Sequence, residues 1–245
     1  MSAPIPRLRM FAGPNGSGKS TVKAQVNRAL WGVFVNADNI EAWLKNDGFF
    51  DFESWNVEIG EAELRAFFLQ SWVGARLPHW KDEVGKLRFE ANRLSARNLS
   101  VNSYMAAVIG EILREKLVAQ KTSFTFETVM SDFSKVRFLQ EARAEGYRTY
   151  LYYVATRNPK INVSRVASRV KNGGHWVPED KIISRYERSL NLLTEAITVC
   201  DRVYLWDNSG VRAECFGKFD AGRFIPRSSS LPTWFRTYVL DKLGD

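Results

Sequence analysis

One stretch constrains this chain more than any other: Gly13-Pro14-Asn15-Gly16-Ser17-Gly18-Lys19-Ser20. It satisfies the pattern G-x-x-x-x-G-K-[ST], and it stands where that pattern must stand. Before it runs a short apolar segment, Leu8 to Ala12; after it, Lys19 to Trp31 carries helical apolar spacing at Val22, Val26, Ala29 and Leu30. Strand, loop, helix is the context in which glycines let consecutive backbone N–H groups turn inward around phosphate oxygens. Lys19 is then expected to reach the β and γ phosphates of ATP, and Ser20 to ligate Mg²⁺. A chance glycine turn would not be flanked in this way.

Further strands follow at intervals. Val33 to Val35 ends at Asn36-Ala37-Asp38, Phe124 to Phe126 at Glu127-Thr128, Tyr150 to Ala155 follows, and Arg202 to Trp206 ends at Asp207-Asn208-Ser209. Helical patterns separate most of them. The reading is an α/β P-loop NTPase/kinase fold, a five-stranded parallel sheet buried under helices, within one domain covering 1–245. Between the second and third strands lie roughly ninety residues, more than one crossover helix requires. Residues 48–100, with Trp55, Trp72 and Trp80, are read as a helical insertion covering one edge of the site, and 211–245 as the least organised part.

Composition excludes several other classes. With 45% hydrophobic, 13% aromatic and 25% charged residues the chain can bury a real core, and no apolar run approaches the ~18 residues of a membrane span. Two cysteines, Cys200 and Cys215, are too few to staple the fold, and with no signal-peptide pattern the expected compartment is the cytoplasm. His79 and His175 show no metal-ligand spacing, which argues against zinc and against a Ser-His-Asp hydrolase.

The formal charge of +8 is unevenly spread: residues 157–188 hold 8 basic and 3 acidic residues, so five of the net charges sit in one segment. Arg165 and Arg169 are four apart, Arg185 and Arg188 three apart, and Gly173-Gly174 breaks the two helices that carry them. Helix, glycine turn, helix is the layout of a lid that brings guanidinium groups to a transferring phosphoryl, with Arg165 and Arg169 ahead of Arg185; the bland alternative is a solvated face. His175 reads equally as a turn residue or a ligand contact.

No Asn-Lys-x-Asp motif for guanine occurs, and Tyr204-Leu205-Trp206-Asp207 is followed by Asn208 where a motor ATPase would want Glu. The acid at the end of the second strand, Asp38, suits a catalytic base that takes a proton from an acceptor hydroxyl. The same residue, with Glu41 three positions on, has the spacing of a capping box.

Taken together, Gly13 to Thr21, Asn36-Ala37-Asp38-Asn39-Ile40, Phe126-Glu127-Thr128, Arg165 to Val170 leading to Gly173-Gly174-His175, Val177-Pro178, Arg185-Tyr186-x-Arg188-Ser189-Leu190 and Asp207-Asn208-Ser209-Gly210 resemble the zeta-toxin-like P-loop kinases. That resemblance implies an ATP- and Mg²⁺-dependent transfer to a hydroxyl of a small molecule such as UDP-N-acetylglucosamine, by a toxin restrained by an antitoxin protein. Asp38 takes the role of base. Glu127, Thr128 and Arg185 contact the acceptor, although Glu127 also reads as a strand-end acid and Thr128 as a helix cap. Asn208 lies near the adenine by analogy, or is a turn residue. A kinase of nucleic-acid 5′ ends, and a nucleotide-controlled binding module with slow hydrolysis, are the alternatives. The Trp-rich 48–100 stretch and the tail depart from the family pattern.

Overall fold

The computed structural model describes residues 4–174 and 176–243. In chain order its strands are β1 (Arg7–Ala12), β2 (Val33–Val35), β3 (Phe49–Asp51), β4 (Arg88–Glu90), β5 (Arg93–Ser95), β6 (Phe124–Thr128), β7 (Arg148–Ala155), β8 (Arg202–Asp207), β9 (Glu214–Asp220) and β10 (Arg223–Pro226). Its principal helices are α1 (Lys19–Lys23), α2 (Ala37–Asn46), α3 (Glu61–Gln70), α4 (Trp80–Gly85), α5 (Ser103–Ala119), α6 (Ser134–Ala144), α7 (Pro159–Lys171), α8 (Glu179–Asn191) and α9 (Leu193–Val199). The chain divides into two compact units, one made of Met1–Gly32 with Ser123–Asp245 and the other of Val33–Thr122.

In the first unit the strands run β10-β9-β8-β7-β1-β6. Parallel pairing sets Met10 opposite Phe126 on one side and Leu151 on the other, and Leu151 opposite Val203. This register puts Leu8, Met10, Phe124, Leu151, Tyr153, Val203 and Leu205 on one face, all fully buried. Such all-apolar strands are what a parallel sheet covered on both faces demands. The other face carries a stack of Phe11, Tyr152 and Tyr204, with ring centroids 4.6 and 4.9 Å apart.

Two expectations change here. The tail is ordered: β9 pairs antiparallel with β8, and β10 with β9, extending the parallel strands at one edge. Phe216 and Phe219 on β9 and Trp234 and Phe235 beyond β10 are all buried, with ring centroids 5.2 to 6.4 Å apart. Aromatic burial therefore organises a segment whose Pro and Ser content had suggested a loop. The segment Lys19 to Trp31 is not one helix. α1 stops at Lys23 and a separate 3-10 turn, Arg28–Leu30, begins where the Asn27 side chain accepts from the Ala29 N–H at 3.0 Å. An Asn that bonds its own backbone competes with helix continuation.

The second unit holds β2, α2 packed on α5, and the segment expected to be a helical insertion. That segment does contain α3 and α4, but it also folds a three-stranded antiparallel sheet in the order β3-β5-β4. Each strand is three residues long, too short for alternation to register in the sequence. Phe50, Phe52, Trp80 and Leu94 form its buried apolar centre.

Candidate functional site

The loop after β1 is fixed from several sides. Gly13, Gly16 and Gly18 have φ of 138°, 74° and 91°, conformations that L side chains rarely adopt. Space forbids a side chain too. A Cβ on Gly13 would lie 2.0 Å from the Val154 carbonyl oxygen, one on Gly16 2.5 Å from that of Asn162, and one on Gly18 1.9 Å from Asn208 Nδ2.

Three residues from elsewhere in the unit clamp the loop. Asn208, buried at the end of β8, donates from Nδ2 to the Ser17 carbonyl at 2.8 Å. Asn162, fully buried in the first half of α7, donates to the Asn15 carbonyl at 2.6 Å. Arg185 on α8 reaches Asn15 Oδ1 from Nη1 at 3.4 Å. Asn162 is itself held, because Thr156 bonds its Oδ1 and Tyr186 in turn donates to the Thr156 carbonyl at 2.6 Å. Burial pushes the Tyr186 hydroxyl well above the usual phenol range, so it stays protonated as that donor.

Within the loop, Lys19 Nζ donates to the carbonyls of Gly13 and Pro14 at 2.8 and 3.1 Å, and the Pro14 carbonyl also accepts from the Ser17 N–H. Ser20 and Thr21 are exposed at the start of α1. Because α1 is only five residues long, an anion bound here would meet loop N–H groups and Lys19 more than a helix dipole. Ser17 Oγ and Arg165 Nη1 are buried without a hydrogen-bond partner among the described residues. Unsatisfied buried donors cost about 1–3 kcal/mol each, a cost that an anion oxygen within reach of either would relieve. The loop, its positive-φ glycines and these donors thus fit a phosphate group.

The arginine-bearing segment has the expected form. α7 is capped by Asn158, whose side chain accepts from the Lys160 N–H, with Pro159 at its first position. It ends at Gly173, with φ 81°, and a Cβ on Gly174 would strike Arg169 Cγ at 2.5 Å. Val166, Val177 and Ile182 give the two helices their own small apolar centre. The four arginines differ: Arg165 donates to the Gly210 carbonyl at 3.4 Å and buries Nη1; Arg185 touches the loop. Arg169 is exposed against Gly174, and among the described residues Arg188 bonds only back to the Ser184 carbonyl of its own helix. The chemistry of His175 lies outside the described residues.

Glu127, half-buried at the end of β6, pairs with Lys23 at 3.4 Å, and Lys23 also lies 5.4 Å from the Trp31 ring centroid. Thr128 caps no helix. Its Oγ1 accepts from the Met130 N–H at 3.1 Å, a local turn that supports the left-handed Met130. Asp38 is exposed in the first turn of α2, and the helix is capped by Asn36, whose side chain accepts from the Asn39 N–H at 3.1 Å. The capping-box reading of Asp38 is therefore corrected: Asn36 takes that role, and Glu41 pairs instead with Lys45 at 2.6 Å.

Sequence reasoning missed Asn162, Thr156 and Lys23, and it quoted Tyr186 in a motif without the role seen here. An Asn inside a helical pattern is a weak helix former, and only the tertiary neighbour of Asn162 explains its place. Asn208 was found, though its side chain proves committed to the loop backbone.

The zeta toxin family model matches residues 89–212, about half of the chain, from β4 to just past β8. Among curated proteins, an uncharacterized protein of Haemophilus influenzae is 32% identical over 69 residues, 28% of this chain and 49% of that one. A tRNA dimethylallyltransferase of a Methylobacterium species is 29% identical over 170 residues, 63% of this chain and 47% of that one. The chain thus spans about half the length of these curated relatives. Among solved structures, AvrRxo1-ORF1:AvrRxo1-ORF2 with sulphate ions gives a TM-score of 0.53 at 12% identity over 91% of this chain and 61% of that one. The same pair with ATP gives 0.53 at 13%, over 91% and 60%. The PezAT toxin–antitoxin system of Streptococcus pneumoniae gives 0.46 at 15%, over 87% and 72%. At these identities the AvrRxo1 likeness shows a shared fold.

Proposed function

The chain belongs to the zeta toxin family, and from that premise we propose that it is a P-loop kinase transferring the γ phosphoryl of ATP to a hydroxyl of a small molecule. One observation carries the reading: a loop whose three glycines leave no room for side chains, backed by Lys19 and holding Ser17 Oγ, buried without a hydrogen-bond partner among the described residues. The ATP-bound AvrRxo1 structure, which shares the fold, supports the choice of nucleotide.

In this reading Gly13 to Thr21 cradle the phosphates and Lys19 moves from the loop carbonyls to the β and γ phosphates. Ser20, exposed at the head of α1, holds Mg²⁺, which would neutralise developing phosphate charge. Asp38 is the base, its carboxylate exposed and free of capping duty. Arg165 and Arg169 stabilise the transferring phosphoryl, Arg185 steadies Asn15, and Glu127 and Thr128 meet the acceptor. Asn208 serves the nucleotide site through Ser17. UDP-N-acetylglucosamine is the proposed acceptor and an antitoxin protein the proposed partner, both drawn from the family.

A second reading, transfer to a nucleic acid, draws on the relative named as a tRNA-modifying enzyme and on the basic charge. ATP consumption screened against UDP-sugars and against RNA and DNA oligonucleotides decides between them, with Asp38→Ala as control. Turnover with UDP-sugars that Asp38→Ala abolishes is the expected result. Turnover with oligonucleotides alone would favour the second reading.

A further inference from the structure

The second unit carries an aromatic and acidic pocket that the phosphotransfer chemistry does not use. Trp43 on α2 and Phe49 on β3 are about 39% and 40% exposed, a large amount for two neighbouring aromatic residues. With Phe50 and Trp55 they line a cavity of about 170 Å³. The Trp43 and Trp55 indoles meet at 70° with centroids 5.8 Å apart, which makes a corner and not a flat stack. Phe50 closes its back, 6.4 Å from Trp43 and 6.0 Å from Trp55.

Beside the indole N–H groups of Trp43 and Trp55, the polar side chains at this cavity are two carboxylates and one hydroxyl. Asp47 and Asp51 both line it, and the one hydroxyl, that of Ser54, is spent on the Asp51 carbonyl at 2.8 Å. Asp51 is also engaged, accepting from the Glu53 N–H and pairing with Arg93 at 3.0 Å. Asp47, exposed at the C-cap of α2, has no carboxylate partner among the described residues. The environment already holds one cation in the manner proposed: the Arg93 guanidinium sits 5.4 Å from the Phe49 ring centroid while bonded to Asp51.

The exposed carboxylate of Asp47 repels anions and favours a positive charge beside the rings. The rings attract cations through their quadrupole. At about 170 Å³ the cavity is smaller than the ~300–1,000 Å³ pockets of drug-sized ligands, which suits a small head group. We propose that the Trp43–Trp55 corner, with Asp47, is a binding site for an organic cation, the quaternary or alkyl ammonium head of a small molecule.

The test is calorimetric titration of the full chain with choline and with 3,3-dimethylbutan-1-ol, its neutral isostere. Saturable binding of choline is expected, at least ~10-fold tighter than the alcohol, the scale of one or two desolvated cation–π contacts. Trp43→Leu and Asp47→Asn are each expected to weaken choline by about 10-fold, and Asp82→Asn, an exposed acid elsewhere in the unit, to leave it unchanged. Should Trp43→Leu fail to fold, Asp47→Asn still decides, because its exposed carboxylate supports no packing. Absence of saturable choline binding, equal affinity for the alcohol, or equal behaviour of the Asp47 and Asp82 variants would each overturn the assignment.

Discussion

Asn162 on α7 donates from Nδ2 to the Asn15 carbonyl at 2.6 Å, joining the arginine-bearing helix to the phosphate-loop backbone across 147 residues of sequence. Removing it leaves the Asn15 carbonyl unsatisfied in a half-buried site, a cost of about 1–3 kcal/mol. Asn162→Ala is therefore expected to weaken ATP binding roughly tenfold or more and to lower the melting temperature, and Asn162→Asp, which cannot donate, to do no better. Nucleotide titration and thermal melting of both variants check this.

Lys19→Ala is expected to abolish detectable phosphoryl transfer while the protein stays folded. The side chain contacts the carbonyls of Gly13 and Pro14, and the Pro14 carbonyl keeps its bond from the Ser17 N–H without it. Transfer assays beside far-UV circular dichroism give the two readouts, and wild-type turnover would defeat the phosphate-loop assignment.

Asp38→Asn retains charge-independent shape but cannot accept a proton from the acceptor. Transfer is expected to fall by at least ~100-fold, the usual scale for a positioned base, with ATP affinity kept. Because Asn36 caps α2, little thermal stability should be lost, and a variant that is only destabilised would return Asp38 to a structural role.

The arginines separate by contact. Arg165→Ala is expected to lower kcat on the order of 10³-fold with a smaller change in the KM for ATP, the mark of a contact made chiefly in the transition state. Arg169→Ala is expected to act in the same direction. Arg185→Ala, which frees Asn15, should act mainly on KM, and Arg188→Ala on neither. Unchanged kcat in the Arg165 and Arg169 variants and in their double would make the segment a solvated face.

Alkaline pH is expected to destabilise the fold. Burial pushes the thiol of Cys200 and the hydroxyls of Tyr153 and Tyr186 upward, so these groups stay protonated in the folded state after they have ionised in the unfolded chain. The unfolded state then binds fewer protons, and stability falls as pH rises above about 9, the ordinary thiol value. Urea melts between pH 7 and 10 check the slope, and Cys200→Ala should flatten its first part.

How much of this was legible in the sequence follows from the range of each interaction. The loop from Gly13 to Ser20, the strand that leads to Asp38, the strands that carry Glu127 and Asp207, and the helix–glycine–helix of 157–190 could be read because each depends on neighbours a few residues away. Positive φ at Gly16 and Gly173 is a local demand, and only glycine meets it cheaply. Tertiary structure alone decided which polar side chains serve the loop. Nothing near Asn162 announces that Asn15 lies opposite it, nor near Arg185 that it hydrogen-bonds the loop. The tail was decided in the same way. Phe216, Phe219, Trp234 and Phe235 are scattered among Gly, Pro and Ser, and they become a core only when β8 offers an edge for β9 to pair with. Burial is a property of the assembled sheet, whereas a turn is a property of its own residues.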